Sequence, residues 1–201
     1  MTKPLNLSDL ARHLKNGGQL SASERDAVKA RIASVTTDDD IHNLVRVFAL
    51  SEWPTPENVA LVAPLLSEKT EDYDLWGVIL ALCSYWHLTE QFIPQLLDLV
   101  SRPSWPHEFW QSGHSAFVEI GLHVHSTQSK SLLAQLIELF DEASLSNDVL
   151  EDWEKDGCLA SAHEAIEIAL NGSQAIVNYI DFKVPDDINL DLIQEAREKA
   201  A

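Results

Sequence analysis

Ile93-Pro94-Gln95-Leu96-Leu97-Asp98-Leu99-Val100 returns forty residues later as Leu133-Ala134-Gln135-Leu136-Ile137-Glu138-Leu139-Phe140. In both copies the apolar side chains fall at helical rather than alternating spacing, so each reads as one amphipathic helix. Ala63-Pro64-Leu65-Leu66 is a weaker earlier copy of Pro94-Gln95-Leu96-Leu97. Between these runs an acid stands just ahead of a tryptophan, in Asp74-Leu75-Trp76, Glu108-Phe109-Trp110 and Asp152-Trp153. Helical spacing continues outward in both directions. Leu7, Leu10, Ala11 and Leu14 form one stripe, closed by Gly17-Gly18. Ser21 with Glu24 has the spacing of a capping box, and Thr37 or Asp38 precedes the stripe Ile41, Leu44, Val45, Phe48. Thr55-Pro56-Glu57 combines a capping hydroxyl, a proline at the first helical position and an acid for the helix dipole. No Asn-Gly or Asp-Gly hairpin turn separates alternating segments. The chain reads as all-α.

A repeat of this size holding two helices resembles the HEAT and armadillo repeats, over residues 37–170. The resemblance implies a HEAT-like α-α superhelix of stacked helical hairpins: 38–50 with 55–67, 70–86 with 89–101, and 106–125 with 128–142. A longer, partly broken stretch, 147–170, follows, and a helix near 187–200 closes the array. On this reading residues 1–201 are a single all-helical domain, with 1–36 and 171–201 as terminal caps. Pro64 and Pro94 fall inside second helices, where a ring should bend the helix or delay its start.

The 201 residues carry 14 basic and 32 acidic side chains, a net charge of −18. Residues 1–46 are nearly balanced, whereas 47–182 hold four bases (Lys69, Arg102, Lys130, Lys155) against a large excess of acids. Such a balance argues against nucleic acid or an anionic membrane surface as partner, because phosphate binding needs a basic footprint. The longest apolar run, around Val78 to Cys83, is far short of the roughly 20 residues that span a bilayer. The start, Met1-Thr2-Lys3-Pro4-Leu5-Asn6, lacks the apolar core of a secretory signal. Cys83 and Cys158 form no spaced framework, and a cytoplasmic location is expected.

The expected hairpins sort their connections into two edges. Trp53, Trp86, His87, His123 and His125 fall in turns within hairpins; Glu68, Glu71, Asp72, Asp74, Trp105, His107, Glu108, Glu142, Asp148, Glu151 and Asp152 fall between them. A row of like charges repels itself unless something basic arrives. Glu71, Asp72, Asp74, Glu108, Asp148, Glu151, Asp152 and Asp156 are therefore candidate partner-binding residues, with Trp105 and Trp153 as aromatic anchors. Acids that merely stabilise helix N-termini are the competing explanation, at about 0.3–1 kcal/mol each. No Asp-x-Asp-x-Asp-Gly loop, His-Glu-x-x-His, Cys-x-x-Cys, P-loop or Gly-x-Ser-x-Gly is present, and no cofactor or metal is expected.

In size, charge and helical scaffold the chain also resembles small bacterial immunity proteins (antitoxins). That resemblance implies a non-enzymatic partner for a basic toxin such as a nuclease, whose nucleic-acid phosphates the carboxylates would imitate. Two other expectations stand beside it: an adaptor or regulatory scaffold for an endogenous protein, and a metal-dependent enzyme pairing histidines such as His123 or His125 with Glu119 or Glu164.

Overall fold

The structure, a computed structural model, describes residues 6–36, 40–67, 69–102, 105–108, 110–145, 152–172 and 188–201. Among the described residues there are helices and no strand, and the chain divides into two compact units, Met1–Leu88 and Thr89–Ala201. Cooperative α-helix requires capped ends and one apolar face to bury, and this sequence supplies both repeatedly.

The first unit holds α1 (Leu7–Lys15), α2 (Ala22–Ala33), α3 (Ile41–Ser51), α4 (Pro56–Val62) and α5 (Asp72–Ile79), with α5 running on into a π-helical segment, Leu80–Tyr85. Its caps are those the sequence spells out. Ser21 and Glu24 make both halves of the capping box, and Thr55 accepts from Asn58 N ahead of Pro56. Of the two caps expected ahead of Ile41, Thr37 and Asp38 lie outside the described residues, and Asp40 caps α3 by accepting from Asn43 N. Pro64 neither bends α4 nor delays its start: the helix stops at Val62, ahead of the proline, and the chain tightens into a 3-10 turn at Ala63–Leu65.

Helix α3 is the hub of this unit. It packs against α1, α2, α5 and the π segment, which is why Ile41, Leu44, Val45, Val47 and Phe48 are all buried and span more than one face. Helices α3 and α5 run side by side in the same direction. His42 meets Asp74 and Gly77 at one end, while Ala49 and Glu52 meet Trp86 at the other. Gly77 is what permits the approach, since a Cβ there would stand 2.7 Å from His42 Cα. At the far end the indole N–H of Trp86 donates to the carbonyls of Ala49, at 3.1 Å, and Glu52, at 2.9 Å. These are carbonyls that the C-terminus of α3 would otherwise leave unsatisfied.

The second unit holds α6 (Thr89–Val100), α7 (Trp105–Glu108), α8 (Trp110–Thr127), α9 (Lys130–Leu145), α10 (Asp152–Asn171) and α11 (Leu190–Ala200). Pro94 sits inside α6 without dividing it, against the expectation of a late start. Helix α10 is continuous where the sequence reading placed a partly broken stretch; residues 146–151 lie outside the described residues. Helix α8 packs on α6 and on α10, and its residues Ser112–Gly121 are buried on every side. Helices α8 and α10 are again parallel neighbours, matching Trp110 with Gly157, His114 with Ser161, Gly121 with Ala165 and His125 with Ala169.

Candidate functional site

The parallel pairing of α3 and α5 brings the N-termini of both helices to one end of the first unit. Asp40 caps α3, Glu71 is the residue ahead of α5, and Asp72 and Asp74 occupy the first turn of α5. Three of the expected partner-binding residues, Glu71, Asp72 and Asp74, are therefore neighbours, with Glu71 exposed and the two aspartates half-buried. Asp74 Oδ1 accepts from the backbone N–H of His42 at 2.9 Å, which ties the acidic turn to α3. Burial pushes the Asp74 carboxyl above its usual range; the bond from His42 opposes this, and the charges of Asp40 and Glu71 add to it.

Beside these acids is an aromatic stack that the sequence reading missed. The ring of Tyr73 lies on the imidazole of His42, with centroids 4.2 Å apart and planes 21° from parallel, and Trp76 meets both rings from the side. His42 is buried and Tyr73 is 50% exposed, so the buried ring is a floor and the tyrosine is the face offered to solvent. His42 Nδ1 lies 3.0 Å from the carbonyl of Tyr73. A carbonyl only accepts, so the imidazole proton sits on Nδ1 and fixes the ring's orientation. Burial lowers the pKa of His42 and keeps the ring neutral near pH 7. The acid–aromatic–acid run Glu71-Asp72-Tyr73-Asp74 was the available signal for Tyr73. His42 gave none, because its partners are thirty-one and more residues away.

The opposite end of the same helix pair carries Trp53, 83% exposed in the turn between α3 and α4, with Trp86 and His87. The expected separation of aromatic and acidic edges is therefore not seen in this unit: the stack of Tyr73, His42 and Trp76 stands among the acids, and Glu52 and Glu57 stand beside Trp53.

In the second unit, Glu108 and Asp156 are exposed on α7 and α10, two helices that pack together. Trp105 requires a correction. It is 3% exposed, stacked on Trp110 at 5.9 Å and edge-on to Phe117, and a Cβ at Gly113 would run into its ring. Trp105 is mortar between helices and presents no face to a partner. Asp148 and Glu151 lie outside the described residues, and so do the side chains of Asp152 and Trp153, whose backbone opens α10.

A second polar cluster joins α8 to α10. His114 Nδ1 is 3.1 Å from Ser161 Oγ, and its Nε2 is 3.4 Å from Glu164 Oε2. Glu164 is one of the two carboxylates expected beside a histidine; the other, Glu119, instead accepts from Thr89 Oγ1 at 3.3 Å. Serine, histidine and glutamate stand here in the order of a nucleophilic triad, but Ser161 is fully buried, so substrate cannot reach it. Burial drives His114 down to about 4. Of the two histidines singled out for an enzyme, His125 bonds the carbonyl of Ala169 through Nδ1. Among the described residues no group of three or more His, Cys, Asp or Glu could hold a metal ion, and no helix is long and apolar enough to cross a membrane.

Comparison with protein-family models, with curated proteins and with solved structures gives no match to this chain.

Proposed function

We propose that this chain is a helical-repeat adaptor of HEAT-like design that docks a basic protein segment on the acidic end of its first unit. The observation that carries the reading is the half-exposed Tyr73 ring, backed by buried His42 and flanked by Asp40, Glu71, Asp72 and Asp74. A held aromatic face beside carboxylates suits an arginine or lysine side chain, which can lie over the ring and pair with the acids around it. Aromatic anchors supply binding energy and charges supply encounter rate, and this end of the molecule offers both. The side-by-side parallel packing of α3 with α5, and of α8 with α10, supports the repeat architecture, because stacked hairpins set their successive first helices parallel.

Asp74 adds support of a different kind. Its raised pKa means that the folded state disfavours its charge, so at neutral pH the ionised group detracts from stability where it stands. Such a cost is characteristic of residues retained for binding.

Capture from an extract of the source cells tests the reading, with the whole chain as bait at low and high salt. The expected partner is basic, is released as salt rises, and is lost from a Glu71→Gln/Asp72→Asn double variant. A partner held equally by that variant and by the parent overturns the assignment of this face. The net charge of −18 favours one particular setting, neutralisation of a cationic toxin. In that setting the captured protein is a nuclease, and its activity falls in proportion to the complex formed.

A further inference from the structure

Helix α11 packs on α9 and α10 and buries Ile193 and Ala196 of its eleven residues. Two polar contacts complete its attachment. Arg197 pairs with Asp141 of α9 at 2.7 Å, and at the start of the helix the backbone N–H of Asn189 donates to Nε2 of His163 on α10 at 3.2 Å. Two buried apolar side chains are little to hold a helix of three turns, so the polar contacts bear much of its docking. The ion pair is exposed and worth little, which leaves the histidine bond as the sheltered one.

An N–H only donates, so Nε2 is the bare nitrogen of a neutral ring and the ring proton sits on Nδ1. His163 is 6% exposed, and burial pushes its pKa below the ordinary histidine range against the opposing charge of Glu167, one turn on along α10. Of the helices packed on α10, α11 meets the ring with the Asn189 N–H and carries Asp191 in its first turn. Helix α9 carries Asp141, which Arg197 pairs; α8 meets the neighbouring Glu164 with His114; α7 carries exposed Glu108. A proton added to Nε2 would set one donor against another, and the new charge would be poorly hydrated.

We propose that His163 and Asn189 form an acid-sensitive latch on α11: the neutral ring holds the helix down, and a proton on Nε2 releases it while the rest of the second unit stays folded. A released ring returns to the ordinary histidine value of about 6.5. Docking is therefore complete above that pH and weakens as pH falls below it, by up to about tenfold in the docking equilibrium per pH unit. The latch lies wholly within the second unit and is independent of the acidic face on which the adaptor reading rests.

Amide hydrogen exchange of the whole chain reads the latch, with each rate expressed as protection relative to an unstructured peptide at the same pH. The α11 amides should be less protected than those of α8 at every pH, and their protection should fall about threefold or more between about pH 7 and 5. That fall should vanish in His163→Gln, whose side-chain oxygen can take the Asn189 N–H and gains no proton, and should persist in His114→Gln. Protection of α11 equal to that of α8 throughout means that the helix opens only with the whole unit, and overturns the proposal. An acid response that survives His163→Gln does the same. Should that variant fail to fold, the ring resonance of His163 in the parent decides: a midpoint below the ordinary histidine range supports the latch, and an ordinary one overturns it.

Discussion

Each of the two units is built around a pair of parallel helices, and each places a buried histidine in the seam of that pair. His42 lies between α3 and α5, and His114 between α8 and α10. Their surroundings differ. His42 spends its N–H on a backbone carbonyl and offers its ring as the support for an exposed tyrosine. His114 is closed in by Ser161 and Glu164 and turned away from solvent. The same residue type at the same kind of joint thus supports a half-exposed ring in one unit and is internal cement in the other. Burial alone does not distinguish the two. What distinguishes them is whether the groups stacked on the ring reach water.

The comparison can be broken or sharpened by experiment. The largest effect should come from the cores, where Phe48 and Phe117 are almost wholly buried. Phe48→Ala in the first unit and Phe117→Ala in the second should each cost about 3–5 kcal/mol, measured by urea unfolding. Next is acid. His114 is held near 4 when folded, so the unfolded chain takes up its proton first as pH falls. The stability that neutral His114 contributes is complete above about 6.5 and drains away as pH falls toward 4, at up to about 1.4 kcal/mol per pH unit. Urea midpoints across that range should flatten in His114→Gln, and a slope unchanged by the substitution would show that another group governs the acid response. His42 and His163 are depressed in the same direction, also mainly by burial.

Tyr73→Ala should separate binding from folding. Partner affinity should drop at least about tenfold, while stability should fall by about 1–3 kcal/mol, the sum of the two aromatic pairs that Tyr73 makes with His42 and Trp76. Titration of the captured partner, alongside a urea curve, checks both halves. Asp74→Asn keeps an oxygen for the His42 N–H while removing the disfavoured charge, so it should raise the unfolding midpoint slightly and weaken the complex. The smallest effects are at the caps. Ser21→Ala in the first unit and Asn189→Ala in the second should each cost about 1 kcal/mol, since each side chain accepts backbone N–H groups at a helix start.

The helices were legible because their signals are local. Ser21 with Glu24, and Thr55 with Pro56, do in the structure what their spacing says. The helices expected within 38–50, 55–67, 106–125 and 128–142 have counterparts in α3, α4, α8 and α9. The candidate site was legible only in part. Glu71, Asp72 and Asp74 were singled out as acids in the connection between two expected hairpins, and they stand at the start of α5. Whether a tryptophan in a connection faces in or out depends on what packs above it. Trp105 is roofed because Gly113 leaves room for its ring, while Trp53 has no such recess and stays exposed. The His42–Tyr73 stack joins two helices across a register that no local pattern encodes.

The widened turn at Leu80–Tyr85 has a consequence for how this chain can vary. The N–H of Trp86 reaches back five residues to Ala81, so the segment holds more chain in that turn than ordinary winding needs. That surplus swings the indole round to the end of α3. Removing one residue would let the coil tighten and would turn everything beyond it by about 100°, tearing the indole from both carbonyls. Exchange of one apolar letter for another should be tolerated there, while a change of length should not.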